Sequence, residues 1–212
     1  MKKQFILISL LMATLAVAAQ PRLDRPEYYL GVQGGVMASM MHFTPSVVQS
    51  ALNPHWGGNA GLVFRYAGHK YCGLQVELNW MQRGWYETEI EYDRTLHYIE
   101  LPMLFHLYFG RKVRGFLNLG PQIGYCIAES DNGNAPSETN QYLKIDKPFD
   151  WGVAGGLGMY GRSIAGTWQI EARFNYSLGD VFKNSKADWF SRSAPMNLSL
   201  NFAWLWEFRK AK

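Results

Sequence analysis

Eight ionisable side chains are spaced so that acid–base chemistry could be built from them: Arg65, Glu77, Arg83, Glu100, His106, Asp150, Glu171 and Arg173. Paired carboxylates can divide acid and base roles, and carboxylates with a histidine can pass a proton across a membrane. Arginines interleaved with carboxylates are equally the make-up of a structural filling that closes a narrow interior, and this second reading is the one favoured. The five histidines, His42, His55, His69, His97 and His106, are scattered without the paired spacing of a metal site. Neither a metal nor a cofactor is expected.

The chain that must position these residues has 212 residues, with 15% aromatic and only 18% charged side chains and 21 glycines. A formal charge of +4 is too modest for a nucleic-acid binder, and no nucleic-acid partner is expected. The low charge is paired with high apolar content, which excludes a disordered chain and a coiled coil. A mean hydropathy of −0.19 excludes a bundle of membrane helices.

Lys2 and Lys3, an apolar run from Phe5, and the small residues Ala16, Ala18 and Ala19 follow the order of a secretory signal. The expected division is a signal peptide at 1–19, a short periplasmic segment at 20–27, and one barrel domain at 28–212.

Beyond Pro26 the pattern has period two, in eight segments of about 10–14 residues between turn-forming stretches. In the first, Leu30, Val32, Val36, Ala38 and Met40 oppose Gly31, Gln33, Gly35 and Ser39. In the third, Leu74, Val76, Leu78 and Trp80 oppose Gln75, Glu77, Asn79 and Arg83. The last runs Met196, Leu198, Leu200, Phe202, Trp204, Trp206 and Phe208 against Asn197, Ser199, Asn201 and Glu207. A soluble barrel turns its apolar face inward and commonly bears lysine outside. Here the apolar faces are rich in aromatics and the polar faces in Gly, Asn, Gln, Glu and Arg, which suits a polar lumen surrounded by lipid.

The connections alternate in length. Short links are expected at 67–71, 110–115 and 161–167, long ones at 42–55, 86–95, 128–147 and 179–193. Short periplasmic turns and long outer loops have this order, and an even strand count then puts both termini on the periplasmic side. Aromatic girdles follow from the same arrangement. One rim is expected to hold Tyr66, Phe109, Trp168, Trp204, Trp206 and Phe208, and the other Trp85, Tyr125, Trp151 and Tyr176. The fold class expected is all-β: an eight-stranded antiparallel up-and-down transmembrane β-barrel with a polar, filled lumen, residing in the outer membrane after Sec export. Cys72 and Cys126 fall at opposite ends of such a barrel, about 25 Å apart, so they are expected to be free thiols. Pro102, inside the fourth segment, removes a ladder donor and predicts a bulge or a locally broken pair.

Several runs resemble the PorT-type outer-membrane β-barrel family of Bacteroidetes-like bacteria. They are Gly73-Leu74-Gln75-Val76-Glu77-Leu78 with Gln82-Arg83-Gly84, then Tyr98-Ile99-Glu100-Leu101-Pro102-Met103-Leu104, and Leu117-Asn118-Leu119-Gly120-Pro121. Asp150-Trp151-Gly152 and Glu171-Ala172-Arg173-Phe174-Asn175-Tyr176 extend the resemblance over most of the chain after residue 27. It implies an eight-stranded outer-membrane barrel and, by analogy of fold, a link to protein secretion.

The function expected is that of a non-enzymatic, monomeric structural, surface or secretion-associated barrel. Its expected partners are outer-membrane lipids, lipopolysaccharide and envelope or secretion-system proteins. The alternatives are a narrow channel, a loop-based adhesin and a lipid-A-modifying enzyme. The enzyme would need a base near the outer rim; His97 is the candidate, approached by Ser191 or Ser193 only if the fourth long loop folds over it. Glu87, Glu89, Glu91 and Asp93 in the second long loop read as a solvated acidic face before a cation site. Lys183, Lys186 and Arg192 in the fourth could meet lipid phosphates.

Overall fold

The computed structural model describes residues 22–44, 52–87, 91–110, 113–131, 145, 147–179 and 192–209. The expected signal peptide at 1–19 lies outside these residues, as do Ser191, Lys183 and Lys186. Period-two sequence becomes eight strands: β1 (Arg22–Thr44), β2 (Leu52–His69), β3 (Cys72–Glu87), β4 (Tyr92–Gly110), β5 (Val113–Asp131), β6 (Phe149–Ser163), β7 (Gly166–Ser177) and β8 (Arg192–Arg209). Each pairs antiparallel with its chain neighbour, and β1 pairs with β8 to close the barrel. Among the described residues no helix is long and apolar enough to cross a membrane.

Alternation sorts the two faces. Along β7 every second residue from Thr167 to Ser177 is buried, while Ile170 and Phe174 between them are exposed. Leu30, Leu62, Leu117, Leu157, Leu198 and Leu200 carry the same outward apolar face around the wall. Such a surface is stable only against lipid, because a contiguous apolar patch of this extent in water would drive association.

The strands run from 12 residues in β7 to 23 in β1. A tilted strand needs only about 9–11 residues to span the hydrocarbon, so most of them project past it. This changes two expected boundaries. β1 begins at Arg22 and takes in most of the segment expected ahead of the barrel. The link expected at 86–95 shrinks to four residues, because Glu87 pairs with Tyr92 and Tyr86 with Asp93. Of the four acidic residues placed in that loop, Glu87 ends β3 and Asp93 lies in β4, Glu91 stands in the turn, and Glu89 lies outside the described residues.

Links at the end carrying both termini are two residues long, Lys70–Tyr71 between β2 and β3 and Ile164–Ala165 between β6 and β7. The opposite end bears the longer connections at 132–148 and 178–191. The first is the terminal end of the barrel and the second its loop end.

Pro102 interrupts the β3–β4 ladder: pairing runs to Val76↔Met103 and resumes at Asn79↔Glu100 in the same register. The missing proline N–H breaks the ladder without a bulge. The nearby irregularity is instead on β5, where Tyr98 faces Cys126 and His97 faces Ala128. Cys72 and Cys126 are both free thiols.

Candidate functional site

The lumen gathers the eight ionisable residues singled out from the sequence. Arg65, Glu77, Arg83, Glu100, His106, Asp150, Glu171 and Arg173 are all buried and face inward from five strands. They divide into three tiers.

In the middle tier Arg173 is clamped between two carboxylates. Its Nη1 and Nη2 donate to Glu77 Oε2 and Oε1 at 2.5 and 2.7 Å, while Nε and Nη2 donate to Glu171 at 3.0 and 2.8 Å. Fork-to-carboxylate pairing is the geometry that makes arginine effective in a dry site. Glu77 accepts three further bonds, from Gln33 at 2.7 Å, Gln75 at 2.5 Å and Asn79 at 2.8 Å. Glu171 accepts from Gln169 and Asn118, both at 3.0 Å. Gly156 makes room for this: a Cβ there would stand 2.1 Å from Glu171 Oε1.

Toward the loop end Arg83 faces Glu100 and Asp150, the latter at 2.7 Å. Ser177 Oγ donates to Asp150 at 2.6 Å, and the Arg83 guanidinium lies 4.7 Å from the Tyr98 ring centre. Here one arginine serves two carboxylates. The eight residues comprise three arginines, four carboxylates and one histidine.

Toward the terminal end Arg65 donates to Gln75 Oε1 at 2.8 and 2.6 Å and also to Gln169. Its guanidinium stacks over Tyr160 and Phe116 at 5.0 and 6.0 Å. His106 Nδ1 donates to Asn118 Oδ1 at 2.7 Å, and its ring touches Tyr108, Phe116 and Tyr160. Together with Ala67 these aromatics close that end of the lumen.

The sequence reading chose charged residues and passed over the amides and inward aromatics that complete the filling. Parity was the signal that could have found them: Phe116 and Tyr160 share their strand faces with Asn118 and Gly158.

Of the rim aromatics, Tyr66, Trp168, Tyr176 and Trp204 face outward half-buried, and Phe109, Tyr125, Trp151, Trp206 and Phe208 are exposed. Tyr28, Tyr66 and Phe208 cluster at the terminal end, with Tyr28 5.1 and 6.2 Å from the other two. Trp85 departs from the expectation. It is 0% exposed and lies inside the barrel with the Arg94 guanidinium 5.5 Å from its ring centre. It stands two residues from inward-facing Arg83, so strand alternation turns it inward despite its rim height.

A closed eight-stranded barrel, apolar outside and polar within, defines the class of small transmembrane β-barrels. The family model of the outer membrane protein β-barrel domain matches residues 18–183, and the chain belongs to that family. Its place is the outer membrane.

Solved structures share the fold. OprG from Pseudomonas aeruginosa is 11% identical with a TM-score of 0.50, over 85% of this chain and 96% of that one. The attachment invasion locus protein Ail of Yersinia pestis is 14% identical with a TM-score of 0.45, over 85% and 99%. The outer membrane enzyme PagL is 10% identical with a TM-score of 0.48, over 81% and 97%. No curated protein matches the chain.

Proposed function

We propose that this protein is a Sec-exported, monomeric outer-membrane barrel whose interior is a structural filling, with both termini in the periplasm and the longer connections outside. The observation that carries this is the Arg173 clamp on Glu77 and Glu171, each of the three 3% exposed or less. A guanidinium held by two carboxylates, with those carboxylates engaged by Gln33, Gln75, Asn79, Gln169 and Asn118, has no spare group to hand a solute or proton onward. The lumen then neither conducts nor catalyses, and the barrel acts as a structural, surface or secretion-associated component. The sequence resemblance to PorT-type barrels supports the secretion-associated form of this reading, with an envelope protein as partner.

Planar-bilayer recording on the purified full chain tests it. No steady conductance is expected; a stable open current would overturn the closed-lumen reading. Crosslinking in intact cells followed by purification of the barrel is expected to retain an envelope protein.

A further inference from the structure

We propose that the outer face carries a chemically active site, in which Thr95, His55 and Asp93 form a hydroxyl–imidazole–carboxylate relay that cleaves an acyl ester of a membrane lipid. The proposal goes beyond the closed lumen and rests on that reading only in placing the outer face against lipid.

Asp93 Oδ1 lies 2.8 Å from His55 Nδ1. An ionised carboxylate can only accept, so Nδ1 donates and the lone pair stays on Nε2. Nε2 faces Thr95 Oγ1 at 3.4 Å, a long contact of the kind that tightens when substrate docks. Carboxylate, Nδ1, Nε2 and hydroxyl stand in the order required for acyl transfer.

Three features of the fold assemble the relay. The β2–β3 register shifts by one residue between Pro54 and Asn59 with no ladder pair in between, so His55, paired with Ser39 of β1, is free of the β3 ladder and lays its ring over Gly84 to reach Asp93 and Thr95. Gly84, which pairs with Thr95, leaves the His55 ring room to lie across β3: a Cβ at Gly84 would be 3.0 Å from ring carbons Cγ and Cδ2. Asp93 and Thr95 alternate with buried Tyr92, Arg94 and Leu96 and so share the outer side of β4.

The position selects the substrate class. Down the same side of β4 run His97, stacked on Trp80 at 5.5 Å, and then Ile99, Leu101, Met103, Phe105 and Leu107. Thr95 thus sits at the upper border of the apolar band, at the depth of lipid ester groups. Further down the same wall, starting at Ile99 roughly 13 Å along β4 from Thr95, an apolar groove of about 230 Å³ is lined by Ile99, Leu101, Ile123, Tyr125 and Phe149, with Gly124 beside them. A lipid whose ester stands at Thr95 would run its chain down β4 past His97 and place its distal carbons in that groove.

In the reaction, Thr95 Oγ1 attacks the ester carbonyl carbon as His55 Nε2 takes the hydroxyl proton. The alkoxy C–O bond breaks, and the leaving oxygen takes that proton from the imidazolium, leaving an acyl-threonine. Water, deprotonated by His55, cleaves this to a free fatty acid and restores the hydroxyl. Asp93 orients the ring and stabilises its charged form.

The test uses the full chain refolded into phosphatidylethanolamine vesicles with and without lipopolysaccharide, with fatty acid, lysophospholipid and deacylated lipopolysaccharide read by mass spectrometry. Free fatty acid is expected, and the co-product identifies whether a glycerophospholipid or lipopolysaccharide supplies the ester. Thr95→Val and His55→Gln are expected to lower release on the order of a hundredfold or more, whereas Thr95→Ser keeps it, with heat-dependent gel mobility unchanged in all three. The proposal fails if the folded wild-type barrel releases no fatty acid from either vesicle. It fails equally if release survives in both Thr95→Val and His55→Gln, or if Thr95→Ser is as inactive as Thr95→Val. The planar-bilayer recording reads the lumen alone, so either conclusion can fall without the other.

Discussion

Two histidines separate the two working regions of this barrel. His106 lies in the lumen, wholly buried, with Nδ1 spent on Asn118 and three aromatic rings against its faces. His55 lies on the outer side, with a carboxylate on Nδ1 and a hydroxyl on Nε2. Inside, arginines and carboxylates are tied to one another and to amides, and what they provide is cohesion. Outside, a short chain of polar groups ends on a hydroxyl at the membrane border, and what it provides is reactivity. The same residue types serve opposite ends because the wall of the barrel decides whether their last hydrogen bond goes to protein or to a ligand.

The largest expected effect tests the inner region. Arg173→Leu leaves Glu77 and Glu171 buried without their cation, and breaking a buried pair in this way costs about 3–5 kcal/mol. A drop of that size should appear in urea-dependent unfolding followed by gel mobility; an unchanged midpoint would mean that the clamp contributes nothing to cohesion.

Tryptophans on the two faces should differ by nearly as much. Trp85→Ala empties an interior position and should cost about 3–5 kcal/mol, while Trp151→Ala, half exposed to lipid, should cost clearly less. Equal losses would return Trp85 to the rim. Glu100→Ala comes next. Because Arg83 keeps Asp150 at 2.7 Å, the loss should be about 1–3 kcal/mol, below that of Arg173→Leu in the same assay. The smallest stability effect belongs to the outer relay: Thr95→Val should stay within about 0.5 kcal/mol of wild type while abolishing lipid hydrolysis. A large destabilisation there would make the relay a structural tie.

Much of the wall was legible in the sequence, because a strand in a lipid-facing barrel must alternate and a single-residue slip would reverse its faces. Leu74, Val76 and Leu78 against Gln75, Glu77 and Asn79 left little choice. Trp85 was misplaced when its size and height were weighed above its parity with Arg83. The second link, expected at 86–95, is shorter than the sequence suggests because charged residues hide where a strand ends above the bilayer, and the pairing of Glu87 with Tyr92 carries β3 and β4 into it. Partners across the lumen were beyond reach, since Arg173 meets Glu77 from 96 residues away and only the stagger of the closed sheet sets their heights. The relay was hidden for a related reason. It needs a one-residue shift in β2, a glycine in β3 and two side chains of β4, none of which leaves a spacing motif in one segment.

The Arg173 clamp also carries information about assembly. A strand that slips by two residues keeps every apolar side chain toward lipid, so the membrane cannot sense the mistake. The same slip moves a side chain by roughly 6.6–6.8 Å along its strand, which would carry Glu77 out of reach of both arginine nitrogens. Ion pairs between β3 and β7 therefore discriminate among arrangements that hydrophobicity treats as equal. They act as a proofreading step for closure of the sheet.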